Sequence, residues 1–229
     1  MSDKKTLVEL KNVQKAYREP NGDLLPILDI EHLAISPGDQ IVIRGRSGCG
    51  KTTLLHAIAG LTPIDSGSIM FAGVRFHELA EAGRDRFRAH HIGYVFQTFN
   101  LLPAFTALEN VMLGMTFTGR PKDRSRAIAL LEEVGLGHRM HHKPSSMSVG
   151  EQQRTAVARA LVNKPKLLLA DEPTANIDPG HQQQVVDMLR EVCVQEQVAM
   201  LMVTHSPEVS DQFDHVIALE ELNRVVRAA

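Results

Sequence analysis

The chain is poor in cysteine, almost neutral overall, and has no long apolar run. Its two cysteines, Cys49 and Cys193, stand far apart and fit neither a disulfide framework nor a zinc-type spacing, which points to a reducing, cytoplasmic compartment. Lys and Arg total 25 against 27 Asp and Glu, a formal charge of −2. No general basic field results, so no nucleic-acid partner is expected. No apolar run is long enough for a membrane-spanning helix, and Met1-Ser-Asp-Lys-Lys5 lacks the apolar stretch of a signal peptide. Internal repeats and low-complexity linkers are missing too. At 229 residues the chain fits one domain, or a core with a subdomain. Any service to a membrane has to run through a partner.

What is present is more specific. Gly45-Arg-Ser-Gly-Cys-Gly-Lys-Thr52 matches G-x-x-x-x-G-K-[ST]; it follows the apolar run Ile41-Val-Ile43 and precedes the helical run Thr53-Leu-Leu-His-Ala-Ile-Ala59. Gly45, Gly48 and Gly50 let the backbone take turns closed to other residues, so that successive N–H groups face one concavity. The concavity, shared by Arg46, Ser47, Cys49 and Thr53, sits at a helix N-terminus, where an anion is favoured. Lys51 brings a positive charge to the β- and γ-phosphates of ATP, and the Thr52 hydroxyl is placed for Mg²⁺. The Cys49 thiol lies inside this loop, a setting that lowers a thiol's pKa, although a packing role fits it better than redox control.

Periodicity predicts an α/β fold. Residues 6–13 and 24–35 alternate as strands around the turn Glu19-Pro-Asn-Gly-Asp23, and Ser36-Pro-Gly-Asp39 feeds the strand of the glycine-rich loop. Residues 66–76 form another antiparallel stretch, broken by Gly67 and Gly73, and residues 92–96 a short strand. Residues 108–161 turn helical, with Asp123 capping a helix whose apolar face is Ala127, Leu130, Leu131 and Val134 and which ends at Gly135. Residues 137–146 read as a polar loop in which His138, His141 and His142 are solvated. The run Arg84 to Arg88 reads as an exposed helix face. Residues 167–170 and 199–204 are continuous apolar runs, expected of strands buried on both faces of a parallel sheet.

Lys166-Leu-Leu-Leu-Ala-Asp171-Glu172 ends an apolar strand in two acids. Successive strand side chains point to opposite sides, so the two acids can do different work. Asp171 can hold Mg²⁺ directly or through water, while Glu172 polarises an attacking water.

With these motifs the chain resembles the nucleotide-binding subunit of ATP-binding-cassette (ABC) transporters over nearly its whole length. The resemblance implies a phosphate-loop NTPase (RecA-like) core with a small antiparallel β-subdomain (residues 1–97 and 161–229) and a helical subdomain (98–160). It implies that Tyr17 stacks on adenine and that Gln97 touches Mg²⁺ and the attacking water. Ser148-Val-Gly-Glu-Gln-Gln-Arg154 matches the signature sequence, Ala175-Asn-Ile-Asp178 the D-loop, and His205 the switch histidine. In the family, the signature helix end meets the γ-phosphate held by a second chain. Ser148, Gly150, Glu151 and Asp178 would thus contact nucleotide in a head-to-tail homodimer. A bare capping box is the structural reading of Ser148 and Glu151, and both can hold at once.

The string Val95-Phe-Gln-Thr-Phe-Asn-Leu-Leu-Pro103, with Thr106-Ala-Leu-Glu-Asn-Val111, is similar to the lipoprotein-release, macrolide-efflux and cell-division group of that family. Members pair with permeases of four spans per subunit and a large extracytoplasmic domain, so a peripheral position on the cytoplasmic face of the inner membrane is implied. Phe99, Leu101, Leu102 and Phe105 are candidates for the groove that receives the permease, with simple core packing an equal alternative. With Asn223-Arg-Val-Val226 near the last residue, no appended regulatory domain is expected, which favours export over import. An importer ATPase and a non-catalytic ATP sensor remain the alternatives.

One position departs from the family pattern: Val149 replaces the first of two glycines after the signature serine. As the first helical residue it needs only an ordinary negative φ, but its β-branched side chain stands close to where a partner's phosphates would lie. Restoring glycine is expected to raise turnover. A Val149→Gly protein no faster than the parent in a steady-state ATPase assay removes the steric argument.

Overall fold

The computed structural model describes residues 6–228; Met1-Ser-Asp-Lys-Lys5, read as carrying no leader, lies outside the described residues. In chain order the elements are β1 (Val8–Arg18), β2 (Leu24–Ile35), β3 (Gln40–Arg44), α1 (Lys51–Ile58), β4 (Ser66–Phe71), α2 (Glu81–His91) and β5 (Ile92–Val95). Then come α3 (Ala107–Leu113), α4 (Arg124–Glu133), α5 (Val149–Leu161), β6 (Leu167–Asp171) and α6 (Pro179–Gln195). The last are β7 (Ala199–Thr204), α7 (Pro207–Ser210), β8 (His215–Ala218), α8 (Leu219–Leu222) and α9 (Arg224–Ala228). Among the described residues no helix is long and apolar enough to cross a membrane.

The strands form two sheets, one antiparallel in the order β2-β1-β4 and one parallel in the order β5-β6-β7-β3-β8. Side-chain alternation explains why the parallel strands are apolar throughout. Leu167, Leu169, Leu201, Val203, Ile41 and Ile43 face the core shared with α1 and the antiparallel sheet. Leu168, Ala170, Met200, Met202 and Val42 face the core shared with α3, α4, α5 and α6. Two cores thus sandwich one sheet.

The helical region is punctuated as the sequence predicts. Asp123 accepts from the Arg126 N–H at 2.9 Å; Ala127, Leu130, Leu131 and Val134 are buried; Gly135 takes φ +73°. Thr106 and Ser148 each close a capping box, on α3 and α5. The loop at 137–146 contains two short 3-10 turns and hooks onto the start of α3, where Ala107 and Leu108 donate to the His142 and Met140 carbonyls. At the far end of α5, Arg159 donates to the carbonyls of Phe99 (2.7 Å) and Asn100 (2.6 Å). On α2, Arg88 is less exposed than expected, because its guanidinium reaches back to the Ala59 carbonyl at 3.2 Å.

The first strand runs five residues beyond its expected end at Val13, because residues 14–18 keep pairing with β2. The ladder slips between Lys15 and Ala16: Lys15 pairs with Leu28 and Ala16 with Pro26, so Ile27 has no opposite number. Gly67 does not break β4 but lies within it at φ +86°. A Cβ there would stand 2.1 Å from the Asn12 carbonyl oxygen. A Gly67→Ala substitution therefore combines a left-handed backbone with a clash, and is expected to cost on the order of 2 kcal/mol or more. Gly73→Ala, at φ +81° with nothing within 4 Å, should cost about 1 kcal/mol. Urea denaturation of the two variants checks the difference.

Candidate active site

The glycine-rich loop joins β3 to α1. Gly48 at φ +79° and Gly50 at φ +99° hold the left-handed conformation that the loop requires. Gly45 is constrained by space instead: a Cβ would lie 2.8 Å from Cys49 Sγ and 3.1 Å from Leu219 Cβ. The Cys49 thiol donates to the Arg46 carbonyl at 2.8 Å. Burial pushes its pKa up and outweighs the opposing pull of Lys51, correcting the expectation that the loop lowers it. The thiol is a packing group here.

Lys51 is buried and its ammonium donates to the Gly45 and Arg46 carbonyls, both at 2.8 Å. It also pairs with Glu172 Oε1 at 3.2 Å. Glu172 sits just past β6 at φ +44°, and its Oε2 accepts from the His205 N–H at 3.1 Å and meets His205 Nδ1 at 2.8 Å. Asp171 is the last residue of β6 and turns to a different set of partners. The Thr52 hydroxyl donates to its Oδ1 at 3.1 Å, and the Tyr94 hydroxyl lies 3.5 Å from Oδ2. Burial raises the Asp171 pKa, the nearby Glu172 adds to the rise, and the Thr52 bond and His56 oppose it. A cavity of about 340 Å³ brings together Ser47, Gly48, Gly50, Lys51, Thr52, Thr53, Gln97, Glu172 and His205.

Other residues singled out from the sequence lie away from the lining of this cavity. Tyr17 is 42% exposed on β1, with Lys15 Nζ 5.5 Å above its ring. Arg46 is an exposed residue of the loop. Ser148 and Glu151 complete their capping box at 2.8 and 3.2 Å, and Glu151 also pairs with Arg139 at 3.0 Å. Val149 is exposed, and nothing lies within 4 Å of a Cβ built on Gly150. Asp178 is exposed and precedes α6 without a side-chain capping bond. Sequence reasoning missed two neighbours of the site: Ile27 lines the cavity and Tyr94 approaches Asp171, and neither carries a local motif. Asn176, within the D-loop string but given no role there, donates to the Gln97 carbonyl at 2.8 Å.

A separate apolar groove is lined by Leu61, Ala89, Phe96, Phe117, Arg159 and Ala160, among others; Phe99, Leu101, Leu102 and Phe105 lie outside its lining, with Leu102 and Phe105 42% and 38% exposed. The buried amide of Asn110 ties that segment down through Leu102 and Phe105, and Phe99 packs on the core.

A parallel sheet whose strand ends deliver an anion-binding loop, a Lys-Thr pair and two acids defines a phosphate-loop NTPase. The chain belongs to the ABC transporter family, whose model matches residues 28–175. It is 43% identical over 231 residues to the lipoprotein-releasing system ATP-binding protein LolD 2 of Caulobacter vibrioides, covering 98% of this chain and 100% of that one. It is 40% identical over 219 residues to the macrolide export ATP-binding/permease protein MacB of Rhodopirellula baltica, covering 94% of this chain and 32% of that longer one. A dimeric ATP-binding cassette solved in a post-hydrolysis state with ADP and Pi superposes with a TM-score of 0.83 at 34% identity, over 92% and 93% of the two chains. This chain is an ABC ATPase that binds ATP and hydrolyses it in the service of transport.

The electrostatics of Asp171 make a prediction. Its folded pKa lies above the ordinary value of 3.8, so folding favours the neutral acid. The stability this gives is full below the ordinary pKa and is lost as pH rises through the folded one. At neutral pH the carboxylate is a cost that a neutral isostere removes. Asp171→Asn protein without nucleotide should melt above wild type at pH 7, by about 2–4 °C for each kcal/mol relieved. The gap should close on acidification; thermal scans across pH check it.

Proposed function

We propose that two copies of this chain close head to tail on MgATP and thereby drive separate permease subunits, in the manner of the lipoprotein-release and macrolide-efflux group. The observation that carries this reading is the split between the two sets of predicted site residues. Lys51, Thr52, Gln97, Glu172 and His205 share one cavity, whereas Ser148, Gly150, Glu151 and Asp178 do not line it. An exposed, capped helix end with open space at Gly150 suits the γ-phosphate of a partner's nucleotide. Related solved cassettes are dimeric, which supports pairing of two copies.

Within one half-site the motifs and the geometry support a division of roles. The N–H groups of residues 45–53 and the Lys51 ammonium hold the phosphates, and Tyr17 offers its ring to adenine. Thr52 and Asp171, hard oxygen donors joined by a 3.1 Å bond, suit Mg²⁺, and Gln97 lines the same cavity as Thr52. Mg²⁺ characteristically takes one or two carboxylates together with substrate phosphates; when bound it neutralises charge on the β- and γ-oxygens. Glu172 orients the attacking water and takes its proton, and His205, already hydrogen-bonded to it, holds that carboxylate in position.

The groove beside β5 is the docking surface we assign to the permease. Phe117 and Leu61 stand 70% and 43% exposed at it, which is unusual for large apolar side chains facing water. Docking there would hold the chain at the cytoplasmic face of the inner membrane.

Glu172→Gln protein is expected to retain MgATP and dimerise while turnover all but disappears. Purified from membranes with MgATP, it should bring with it a permease of four spans and a large extracytoplasmic domain. Undiminished ATPase overturns the role of Glu172. A six-span importer, or no membrane protein, overturns the subfamily reading.

A further inference from the structure

We infer that Asn223, near the end of the described chain, is a positioning residue for nucleotide binding, acting through Ile27. The inference rests on the cavity around Lys51 being the nucleotide site. Ile27 belongs to that cavity's wall and is its contribution from β2. It also packs on the phosphate loop, since a Cβ on Gly50 would lie 3.1 Å from Ile27 Cγ2 and 3.1 Å from its carbonyl oxygen. Ile27 reaches this place because it is the extra residue where the β1–β2 ladder slips between Lys15 and Ala16. Such a bulge re-aims a side chain and leaves its backbone without a ladder partner.

The missing partner comes from Asn223, whose side chain is fully buried. Its Nδ2 donates to the Ile27 carbonyl at 2.8 Å, and its Oδ1 accepts from the Asp29 N–H at 2.8 Å. One side-chain amide therefore supplies the donor and the acceptor that a neighbouring strand would have supplied to residues 27 and 29. The backbone of Asn223 is anchored in turn, donating to the Leu219 carbonyl at 2.7 Å and bridging to Ile30. Leu219 backs Gly45 on the opposite side of the loop. Residues 219–223 thus brace the phosphate loop from behind and fix the bulge that walls it in front.

The test separates positioning from plain stability by reading KM for MgATP apart from kcat, beside urea stability. Asn223→Ala should raise KM about tenfold, the equivalent of one lost buried hydrogen bond, with kcat at saturation within about twofold because Glu172 and His205 hang from other strands. Asn223→Asp should do the same, since a carboxylate can accept from Asp29 but cannot donate to Ile27. Ile27→Ala, which leaves the amide bonds in place, should raise KM to a similar degree, and the double variant Ile27→Ala/Asn223→Ala should add little beyond either. Unmoved KM in Ile27→Ala, or additive effects in the double variant, overturns the inference. So does a loss of stability and kcat with KM unchanged in the Asn223 variants. Lys51→Ala protein serves as the control: nucleotide binding that survives it overturns the site assignment, and with it the inference.

Discussion

Parallel pairing of β6, β7 and β3 is the interaction on which the site depends. The ladder sets Asp171 opposite Val203 and Arg44 opposite Thr204, so the loop, the two acids and His205 emerge along one edge. The Glu172 N–H continues the pattern with a 3.0 Å bond to the Val203 carbonyl. A one-residue slip of β6 would exchange the two core faces and the two acids together. The same apolar alternation that fills both cores therefore also decides which acid meets Thr52 and which meets Lys51.

That edge concentrates charge in a poorly hydrated place. Lys51, Asp171 and Glu172 are all largely buried: the ammonium pairs with Glu172, which also meets the exposed His205 ring, and Asp171 is left to the Thr52 and Tyr94 hydroxyls. Desolvated charges are tolerated only when they are well partnered, and here Glu172 has an ion pair while Asp171 has only neutral hydroxyls. A bound polyphosphate and cation would redistribute those pairings. The site therefore holds its binding groups at the expense of the free protein's stability, a common bargain at functional sites.

Much of this was legible in residue order because it is governed by local spacing. The glycine-rich loop, the acids ending an apolar run, the Ser148 and Asp123 caps and the stop at Gly135 each depend on neighbours within a few positions. The second half of β1 was not legible, because only β2 across the turn defines it. Nor was α6, whose apolar stripe of Val185, Val186, Leu189, Val192 and Cys193 is interleaved with glutamines and acids. Gly45 looked like a conformational glycine and proved to be a steric one, since Leu219 arrives from far along the chain. Cys49 shows the limit on electrostatics: the cationic loop is visible in sequence, but the burial that overrides it is not. The groove lined by Leu61 and Phe117 was not visible in residue order either, being assembled from segments distant in sequence.

Helix α5 has both ends tied to something that matters. Its first residue follows the capped, outward-facing Ser148, and Arg159 near its last turn grips the backbone of the segment that follows Gln97. The whole helix is thirteen residues long, roughly 20 Å, with Thr155, Ala156, Val157 and Ala158 sealed in the core. Such an element behaves as a strut: it cannot shorten, and its packing resists bending. A shift of the Ser148 tip is carried along it to residues 99 and 100, whose carbonyls Arg159 holds.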